Sequence, residues 1–528
     1  MMKAYEAMVS SPCIANRHPF IYILYTTVDD NAFLYVGETE ERNGAIGRLS
    51  GHLNYNPPGT FLSKIMEYST YQVSEIGKIN VIAFDVSEFK IFSGDINKTK
   101  RRALEYVIHF EMLRYSCADE VTIPYTVISH VQAQERYIND SKIRAISQEI
   151  LKKIIDMIYL DNAATTKYKP EEVYNAFNYY VREIGVSPGR GSYKLGIEAS
   201  RMLYQARKTV AKYFGMSEPN VIFTKNSTEA INLFLRGLLN NGDHVVISCY
   251  EHNAVLRPLH EMKQEGIIDY SIVSREDLEL TPQEIYNKYV KTNTVLFETT
   301  LASNLTGRIV LNSDVLRYMK QKGITTFVDS SQGAGKIGIS MSEDGIDYLA
   351  FTGHKDLLAL PGVGGLVCLK KPIWKPLLQG GTGVLGDSYV NPSVFPEAYE
   401  AGTLNMPAIW SLKVALDWIN ENKERNLKKE KELTDYFVKE LDKISDVTIY
   451  DKDFQRVGVI GLNIDGMKSN EVVQYLDEND VCTRGGIHCA ILAHEALNTK
   501  EIGIVRFSLG MNISKTDIDK VLELIKSR

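Results

Sequence analysis

Residues 484–490 of this chain read RGGIHCA, a segment that places His488 beside Cys489 behind two glycines. A cysteine can be a buried thiol, a metal ligand or, as its thiolate, a nucleophile. Metal binding is the least favoured of the three, because adjacent residues seldom converge on one ion and no clustered ligands accompany this pair. The segment alone leaves Cys489 open between a packed thiol and a nucleophile.

Three further groups follow apolar runs that are typical of buried strands. NVIFTKNSTEA leads from such a run through Ser227 and Thr228 into a helix, whose free backbone N–H groups can bind an anion. TTFVDSS contains Asp329, a carboxylate that needs a cation or a hydrogen-bond donor if it is buried. YLAFTGHK ends in Lys355, and a lysine held in an apolar pocket can form a Schiff base.

Each of these groups also has an ordinary explanation as a helix cap, a turn or a solvated side chain. Together they supply a phosphate cradle, an acid able to pair with a pyridinium nitrogen, and a lysine for an aldehyde. That combination describes a pyridoxal phosphate site.

The surrounding sequence predicts how these residues are positioned. Apolar β runs such as HVVIS, TVLFETT, TFVDSS and GGLVCL alternate with helical segments of ten or more residues. This alternation predicts an α/β fold with a mostly parallel sheet covered by helices. Ligands bind at the carboxyl ends of the strands in such sheets, which is where the polar groups stand.

The order of these motifs resembles that of the cysteine desulfurases and selenocysteine lyases, pyridoxal phosphate-dependent enzymes of the class V aminotransferase-like group. The resemblance covers about residues 157–528 and rests on IYLDNAATT, SPGRGSYKLG, TKNSTEAINL, YEHNAVLRP, SNLTG, VDSSQGAGK, FTGHK, GGTG, EAGTLN, RGGIHCA and GIVRFSLGMN. It implies the type I fold of such enzymes, with a large domain at about 170–410 that carries a seven-stranded sheet. A small α/β domain would consist of about residues 411–528 and the N-terminal arm.

The resemblance also implies roles for single residues and L-cysteine as the substrate. Lys355 would carry the cofactor, Asp329 would pair with its pyridine nitrogen, and His252 would stack on the ring and help to move protons. Arg506 would bind the substrate carboxylate, and Cys489 would accept the substrate sulfur as a persulfide. Further cofactor contacts are implied for Ser227, Thr228, Asn304, Gln332, Thr352, His354 and Thr382, of which Asn304 also lies near the substrate and Thr382 belongs to the other subunit of a homodimer.

Two local features modify this prediction. Asp356 stands directly after the lysine, where a small or apolar residue is more usual, so it either occupies a surface turn or acts on the pKa of Lys355. The glycines at 485 and 486 are expected to let the cysteine loop swing inward. Cys482 either relays sulfur or packs beneath the loop, whereas Cys249 and Cys368 end apolar β runs and are expected to pack as small hydrophobes.

Residues 1–130 form a separate block of short β runs followed by the helical stretch KTKRRALEYVIHFEMLRYS. Tyr22 and Tyr35 end β runs, and Arg48 and His52 are four residues apart, on one face of a probable helix. An aromatic, an arginine and a histidine could converge on a phosphodiester, although each is as easily a core or surface residue.

The block resembles the GIY-YIG nuclease domain in its IY pair, its YVG triplet and its R-x-x-x-H spacing. The resemblance implies that a glutamate on the later helix binds Mg²⁺ or Mn²⁺, with Glu105 as the best match and Glu111 as the alternative. Phe20 replaces the family's glycine, and no asparagine follows the glutamate helix at the usual place. The block is therefore predicted to be either a nuclease acting on DNA or RNA, or an inactive docking module for a sulfur-acceptor protein.

The segment at 131–156 is predicted to be a connecting amphipathic helix, because its isoleucines recur at intervals of three to five residues. A net charge of −6 and a pI near 6.0 give no global attraction to nucleic acid or to an anionic membrane. The clustered bases Lys98, Lys100, Arg101 and Arg102 are a local exception. No apolar run of about 18 residues and no secretion signal are found, so we expect a cytoplasmic protein without a membrane segment.

Overall fold

The computed structural model describes residues 20–28, 31–39, 61, 64–65, 80–85, 97–116, 125–127, 142–144, 146–147, 158–189, 193–384 and 386–528. The chain divides into two compact units, Met1–Met157 and Ile158–Arg528. No helix in the described ranges is long and apolar enough to cross a membrane.

The described part of the first unit contains a four-stranded sheet and one long helix. Its elements are β1 (Phe20–Val28), β2 (Asn31–Thr39), β3 (Asn80–Asp85), α1 (Asn97–Ser116) and β4 (Tyr125–Val127). The strand order is β3-β1-β2-β4, in which β1 pairs antiparallel with both β2 and β3, and β4 runs parallel to β2. Consecutive residues from Phe20 to Leu24 are buried, as expected for a central strand that is covered on both faces.

The predicted connecting helix at 131–156 falls mostly outside the described residues. Within it, residues 142–144 and 146–147 are helical, and they bury Ile143 and Ile146. These residues belong to the first unit.

The second unit begins with a large domain built on a seven-stranded sheet. Its strands are β6 (Val221–Thr224), β7 (Asp243–Ser248), β8 (Ile268–Val273), β9 (Thr294–Thr300), β10 (Thr325–Asp329), β11 (Tyr348–Thr352) and β12 (Gly364–Cys368). The order is β6-β12-β11-β10-β9-β7-β8, and β12 pairs antiparallel with both of its neighbours. The other pairs are parallel, so the predicted mostly parallel sheet is confirmed.

Helices cover both faces of this sheet. They are α2 (Glu171–Tyr179), continued by a π-helical turn at Tyr180–Ile184, α3 (Lys194–Tyr213), α4 (Ser227–Leu238), α5 (Asn253–Gln264), α6 (Pro282–Tyr289) and α7 (Ser313–Gln321). Alternate residues of one strand enter different cores, since Val221 and Phe223 pack in one cluster and Ile222 packs in another. This is the period-two arrangement that explains why the strands read as unbroken apolar runs.

A 36-residue helix, α8 (Met406–Leu441), joins the large domain to the small one. Its first half, as far as Ile419, packs in the large-domain core, whereas Phe437 and Leu441 pack in the small-domain core. The boundary expected at about residue 411 therefore lies within a continuous helix. Helix α8 thus belongs to both domains, and it is about 54 Å long at 1.5 Å per residue.

The small domain has a four-stranded antiparallel sheet whose strands lie in the order Val447–Ile449, Val459–Ile464, Ile504–Ser508 and Arg484–Gly486. Its elements are β13 (Val447–Ile449), β14 (Val459–Ile464), α9 (Ser469–Asp477), β15 (Val481–Cys482), β16 (Arg484–Gly486), α10 (Ile491–Ala496), β17 (Ile504–Ser508) and α11 (Lys515–Ser527). The short strand β5 (Ile158–Tyr159) pairs in parallel with β15, so the N-terminal arm of this unit is tied to the small domain.

Candidate active site

A cavity of about 160 Å³ lies at the carboxyl ends of β9, β10 and β11, beside the N-terminus of α4. Nine of the ten residues predicted to contact the cofactor line it, namely Ser227, Thr228, His252, Asn304, Asp329, Gln332, Thr352, His354 and Lys355. The tenth, Thr382, lies in a partly exposed stretch that lines a different hollow of the same chain. Parallel strands bring together residues that are more than one hundred positions apart in the sequence.

Lys355 follows β11, and its ammonium group interacts most strongly with Asp329. Desolvation is the main cause that lowers the pKa of Lys355, and the Asp329 carboxylate opposes it only in part. The backbone beside the lysine is fixed by the N-terminal arm, because the hydroxyls of Thr165 and Thr166 both donate to the His354 carbonyl oxygen, at 3.2 and 3.0 Å.

Asp329 is 3% exposed at the end of β10, and Ser331 satisfies its carboxylate through the backbone N–H, at 2.9 Å, and through the hydroxyl. Gln332 donates its amide to the Ala163 carbonyl oxygen at 2.7 Å, while its side-chain oxygen has no partner in the described structure. Both side chains are therefore held at fixed positions around the cavity.

The α4 end of the cavity has the character of an anion site. Asn226 caps the helix by accepting a hydrogen bond from the Glu229 N–H at 3.0 Å, which leaves Ser227 and Thr228 in the first turn. The Thr352 hydroxyl is buried and has no partner in the described structure. Unpaired buried polar atoms are costly, so this hydroxyl, which can donate, fits an oxygen of a bound phosphate.

His252 is the N-cap of α5, where its Nδ1 accepts the Ala254 N–H at 3.0 Å. Burial lowers the pKa of His252 to about 4, with Asp329 opposing this and Lys355 reinforcing it. The imidazole is therefore neutral at pH 7, and because Nδ1 accepts, its proton sits on Nε2.

Arg506 lies in β17, is 3% exposed, and is held in an ion pair that sequence reasoning missed. It donates from Nη2 to Asp161 Oδ1 at 2.7 Å and from Nη1 to the Asn304 carbonyl oxygen at 3.0 Å. The other oxygen of Asp161 accepts from Nε and Nη2 of Arg484, at 3.0 and 2.8 Å. Asp161 thus links the arginine before the cysteine loop to the buried arginine beside the cavity.

The RGG segment is the strand β16, so Gly485 and Gly486 pair with β17 in the small-domain sheet, and the inward swing expected of them stays a prediction. Gly485 pairs with Val505 in the small-domain sheet, and a Cβ at this position would lie 2.8 Å from the Ser469 carbonyl oxygen. The glycine is needed for close packing of β16 against the start of α9.

Strain is concentrated one step further along, at His488 and Cys489, which have φ angles of 52° and 56°. Non-glycine residues rarely adopt this left-handed conformation, and two in succession must be held by their surroundings. The Asn304 amide donates to the His488 carbonyl oxygen at 2.7 Å, and the Asn253 N–H donates to the Cys489 carbonyl oxygen at 2.8 Å. These bonds fix the backbone while the Cys489 side of the loop stays exposed.

Asp356 is 9% exposed, so the surface-turn explanation for it is wrong. Its carboxylate accepts the Gly333 N–H at 3.0 Å and pairs with Lys336 at 3.1 Å, and Lys336 also pairs with Glu430 of α8 at 3.0 Å. The aspartate anchors the lysine loop to the long helix, and its charge opposes the lowering of the Lys355 pKa.

The remaining cysteines behave in two ways. Cys249 and Cys368 are buried free thiols, as predicted, and burial raises the pKa of Cys249 to about 12. Cys482 is partly buried in β15, opposite Tyr159 of the arm. In the described part of the chain, no group of three or more His, Cys, Asp or Glu side chains is arranged to hold a metal ion.

In the first unit, the structure describes only some of the predicted nuclease residues. Tyr22 is opposite Gly37 in the β1–β2 hairpin, and a Cβ on Gly37 would overlap the Tyr22 ring. Glu105 is a partly buried residue of α1, whereas Arg48 and His52 lie outside the described residues. Arg101, one of the clustered bases, is 3% exposed and pairs with Glu38 at 3.0 Å, so it is not part of an exposed basic patch.

Comparisons with known proteins agree with this architecture. A model of the family described as aminotransferase class-V matches residues 158–521. A probable cysteine desulfurase from Methanothermobacter thermautotrophicus is 32% identical over 356 residues, which cover 66% of this chain and 88% of the relative. The apo structure of a cysteine desulfurase from Thermococcus onnurineus NA1 superimposes with a TM-score of 0.65 at 26% identity, covering 72% of this chain and 95% of that one.

The chain therefore belongs to the class-V aminotransferase family, with the type I fold of pyridoxal phosphate enzymes in its second unit. Within that family it is a pyridoxal phosphate-dependent enzyme of the cysteine desulfurase group. The family match begins at residue 158, so the first unit lies outside it.

Proposed function

We propose that the second unit converts L-cysteine to L-alanine and stores the released sulfur as a persulfide on Cys489. The observation that carries the proposal is the arrangement of two adjoining hollows. One contains Lys355 and Asp329, and the other, of about 460 Å³, is lined by Cys489. Thr228 and His252 line both, so a small amino acid bound at the first can present its side chain toward Cys489.

Pyridoxal phosphate, when bound, supplies an electron sink for the carbon atom that carries the substrate amino group. We assign its phosphate to the first turn of α4 with Ser227, Thr228 and Thr352, and its pyridine nitrogen to Asp329. The positive end of the helix dipole and the free N–H groups there suit a phosphate. His354 and Gln332 complete the set of polar contacts.

Lys355 is assigned the first proton transfer. Its lowered pKa increases the fraction of neutral amine near pH 7, which is the form that can attack a carbonyl carbon or accept a proton from a substrate carbon. His252 carries a proton on Nε2, so it is suited to donate to a leaving group or to a developing carbanion.

Arg506 is assigned the substrate carboxylate, with Asn304 beside it. The Nε of Arg506 is buried and has no hydrogen-bond partner in the described structure, and its Nη groups are already oriented by Asp161 and by the Asn304 carbonyl. A planar guanidinium suits a carboxylate because it can donate two parallel hydrogen bonds.

The sulfur step uses Cys489 as the nucleophile. Its thiolate attacks the substrate sulfur, a new S–S bond forms, and the bond between carbon and sulfur breaks with its electron pair left on carbon. The carbon fragment then takes a proton, for which Lys355 and His252 are the available donors, and leaves as alanine. No external oxidant is needed, because the thiol is oxidised to the persulfide level while the carbon is reduced.

The test is to incubate the holoenzyme with L-cysteine and to measure alanine and protein-bound persulfide together. We expect Cys489→Ser to lose the persulfide while the cofactor absorbance is retained, and Cys482→Ser, the matched control, to keep both products. Full desulfuration by Cys489→Ser, or no alanine from the parent, would overturn the assignment. Parallel assays with selenocysteine distinguish a desulfurase from a selenocysteine lyase.

We further propose that the enzyme is a homodimer in which Thr382 reaches the phosphate of the other subunit. The proposal is supported by exposed apolar side chains in two places. On and near α3 they are Tyr193, Leu195, Ile197 and Tyr204, and around Thr382 they are Leu377, Leu378, Val384, Tyr389, Val390 and Val394. Exposed apolar patches of this kind mark interfaces. Light scattering should give twice the chain mass, and Tyr204→Glu should reduce it to one chain mass.

For the first unit we propose a metal-dependent nuclease that uses Tyr22, Tyr35, Arg48, His52 and Glu105. The observation that favours this is the β1–β2 hairpin, in which the lack of a side chain on Gly37 of β2 leaves space for the Tyr22 ring of β1. Tyr35 lies on β2 as well, two residues before Gly37. Cleavage of plasmid and RNA should require Mg²⁺ or Mn²⁺ and should be lost in Glu105→Ala. Equal cleavage by that variant would shift the role to Glu111, and no cleavage by the parent would favour a docking module for a sulfur-acceptor protein.

A further inference from the structure

Two acidic residues, Glu251 and Glu298, are buried together beneath the candidate site, and neither lines its cavity. Both are 0% exposed. Glu298 is in the middle of the seven-stranded sheet, where β9 pairs with Phe327 of β10 and with Ile247 of β7. Glu251 follows β7 and stands two residues before the start of α5.

Among the four oxygens of the two carboxyl groups, only one accepts a hydrogen bond from a hydroxyl or a backbone N–H in the described structure. Glu251 Oε1 accepts from the Ser248 hydroxyl and from the Thr300 N–H, the latter at 2.9 Å. The other oxygen of Glu251 and both oxygens of Glu298 are fully buried without such a partner in the described structure. No salt bridge among the described residues joins either carboxyl to a cation, so the usual means of burying a charge is missing.

Two carboxyl groups in mutual contact resolve this deficit if one is protonated, because a protonated acid becomes a donor to its neighbour. Glu251 Oε1 already accepts two hydrogen bonds, whereas neither oxygen of Glu298 has a donor, so Glu298 is the side chain better suited to carry the proton and donate it to Glu251. Burial is the main cause that raises the pKa of Glu251 to about 7, and burial also raises that of Glu298 well above its usual range.

The pair is coupled to the candidate site through Thr300. The Thr300 N–H binds Glu251, Thr300 is the register partner of Asp329, and its hydroxyl donates to the Asp329 carbonyl oxygen at 3.3 Å. The charged groups that act on Glu298 are Glu251 and Asp329, and Glu251 also interacts with the Cys249 thiol. Any charge on the pair is therefore felt at the Asp329 end of the cavity.

We propose that Glu298 and Glu251 share one proton, and that the single negative charge of the ionised pair stands behind Asp329 to favour a cation opposite it. Both are positioning residues, since they act through Asp329 and do not touch the substrate. The inference rests on the proposed function, because the cation would be the protonated ring nitrogen of the cofactor. The shared proton limits the pair to one negative charge, since two full charges at these positions would repel each other and Asp329.

The first test compares the holoenzyme with two isosteric variants and does not depend on turnover. Infrared spectroscopy at about pH 8 should detect the carbonyl stretch of a buried, protonated carboxylic acid. The band should disappear in Glu298→Gln, whose amide still donates to Glu251, and persist in Glu265→Gln, an exposed site at the end of α5 that serves as the matched control. No such band in the parent, or a band unaffected by Glu298→Gln, would overturn the proposal.

The second test uses the absorbance of the bound cofactor as a function of pH. Glu298→Gln leaves Glu251 charged, whereas Glu251→Gln leaves Glu298 neutral, so the two isosteric variants differ by one negative charge behind Asp329. We expect the spectral midpoint of Glu298→Gln to lie about one pH unit above that of Glu251→Gln, the usual size for one neighbouring charge. Coincident midpoints or the reverse order would overturn the coupling. If alanine production fails while the infrared band is present, the proposed function is wrong and the shared proton is not.

Discussion

The Lys355 side and the Cys489 side of the candidate site are built in opposite ways. Lys355 follows a fully buried strand, and its neighbours Asp329 and Thr352 are 3% exposed. Cys489 is exposed, in a strained turn that two asparagine-donated hydrogen bonds hold. Desolvation is what lowers the pKa of a lysine, whereas the proposed persulfide could pass sulfur to an acceptor only from an exposed position.

This contrast predicts separable effects of mutation, of which the largest is at Lys355. Lys355→Ala should reduce alanine formation by about 10²–10⁴-fold or more, the usual contribution of a positioned acid–base group. The comparison is with Cys489→Ser, which should keep the lysine-dependent absorbance of the holoenzyme. The measurement is single-turnover alanine release, with the exposed Lys439→Ala as the matched control. Near-normal turnover by Lys355→Ala would remove the lysine from the mechanism.

Asp161→Asn breaks the link between the two sides, because Asp161 is the shared partner of Arg506 and Arg484. We expect the variant to lose about 3 kcal/mol of unfolding free energy, since a buried arginine is left without its counter-charge. The KM for cysteine should rise with it, because Arg506 loses its orientation. Denaturant unfolding and steady-state kinetics measure the two effects, with the exposed Asp477→Asn as control. A variant of unchanged KM and stability would show that Arg506 needs no support.

Glu251→Gln tests the raised pKa of this buried carboxyl, beneath the Lys355 side, through the pH dependence of the unfolding free energy. The folded-state pKa of Glu251 lies near 7 and is above the usual value of a glutamate, so folding binds a proton that the unfolded chain releases. The stability of the parent should therefore fall as the pH rises from about 4.5 to 7, by roughly 3 kcal/mol from this group. In the variant this part of the slope should be absent. Parallel curves for parent and variant across that window would contradict the raised pKa.

Gly485→Ala has the smallest expected effect and tests whether the glycine on the Cys489 side serves close packing or flexibility. Because a Cβ there would meet the Ser469 carbonyl oxygen at 2.8 Å, we expect a loss of about 1–3 kcal/mol in unfolding free energy. If the glycine were a hinge, the substitution would instead slow persulfide formation and leave stability intact. Thermal unfolding together with the rate of persulfide formation separates these explanations.

The sequence predicted the Lys355 side of the site better than the Cys489 side. The order of apolar runs, and the polar residue that follows each, indicated the sheet and the edge at which its site lies, because parallel strands end at one edge. The family resemblance added the remaining residues of the nine that line the cavity, such as His252 and Thr352. The role of Asp161 was missed, since its partners are more than 300 residues away and nothing local distinguishes it from any turn aspartate. The packing role of Gly485 was missed because glycine serves flexibility and close packing alike, and only the start of helix α9 shows the close approach at this position.

By itself, the sequence determined the α/β class, the family of the second unit and the chemical kit of lysine, aspartate, arginine and cysteine. Composition, period and motif order are local properties of the chain, so they can be read without coordinates. The tertiary structure alone decided which charges are paired, that Asp356 is buried, and that two glutamates share an interior without a counter-ion. Burial and pairing depend on residues distant in sequence, and they are what set the protonation state of each group in the site.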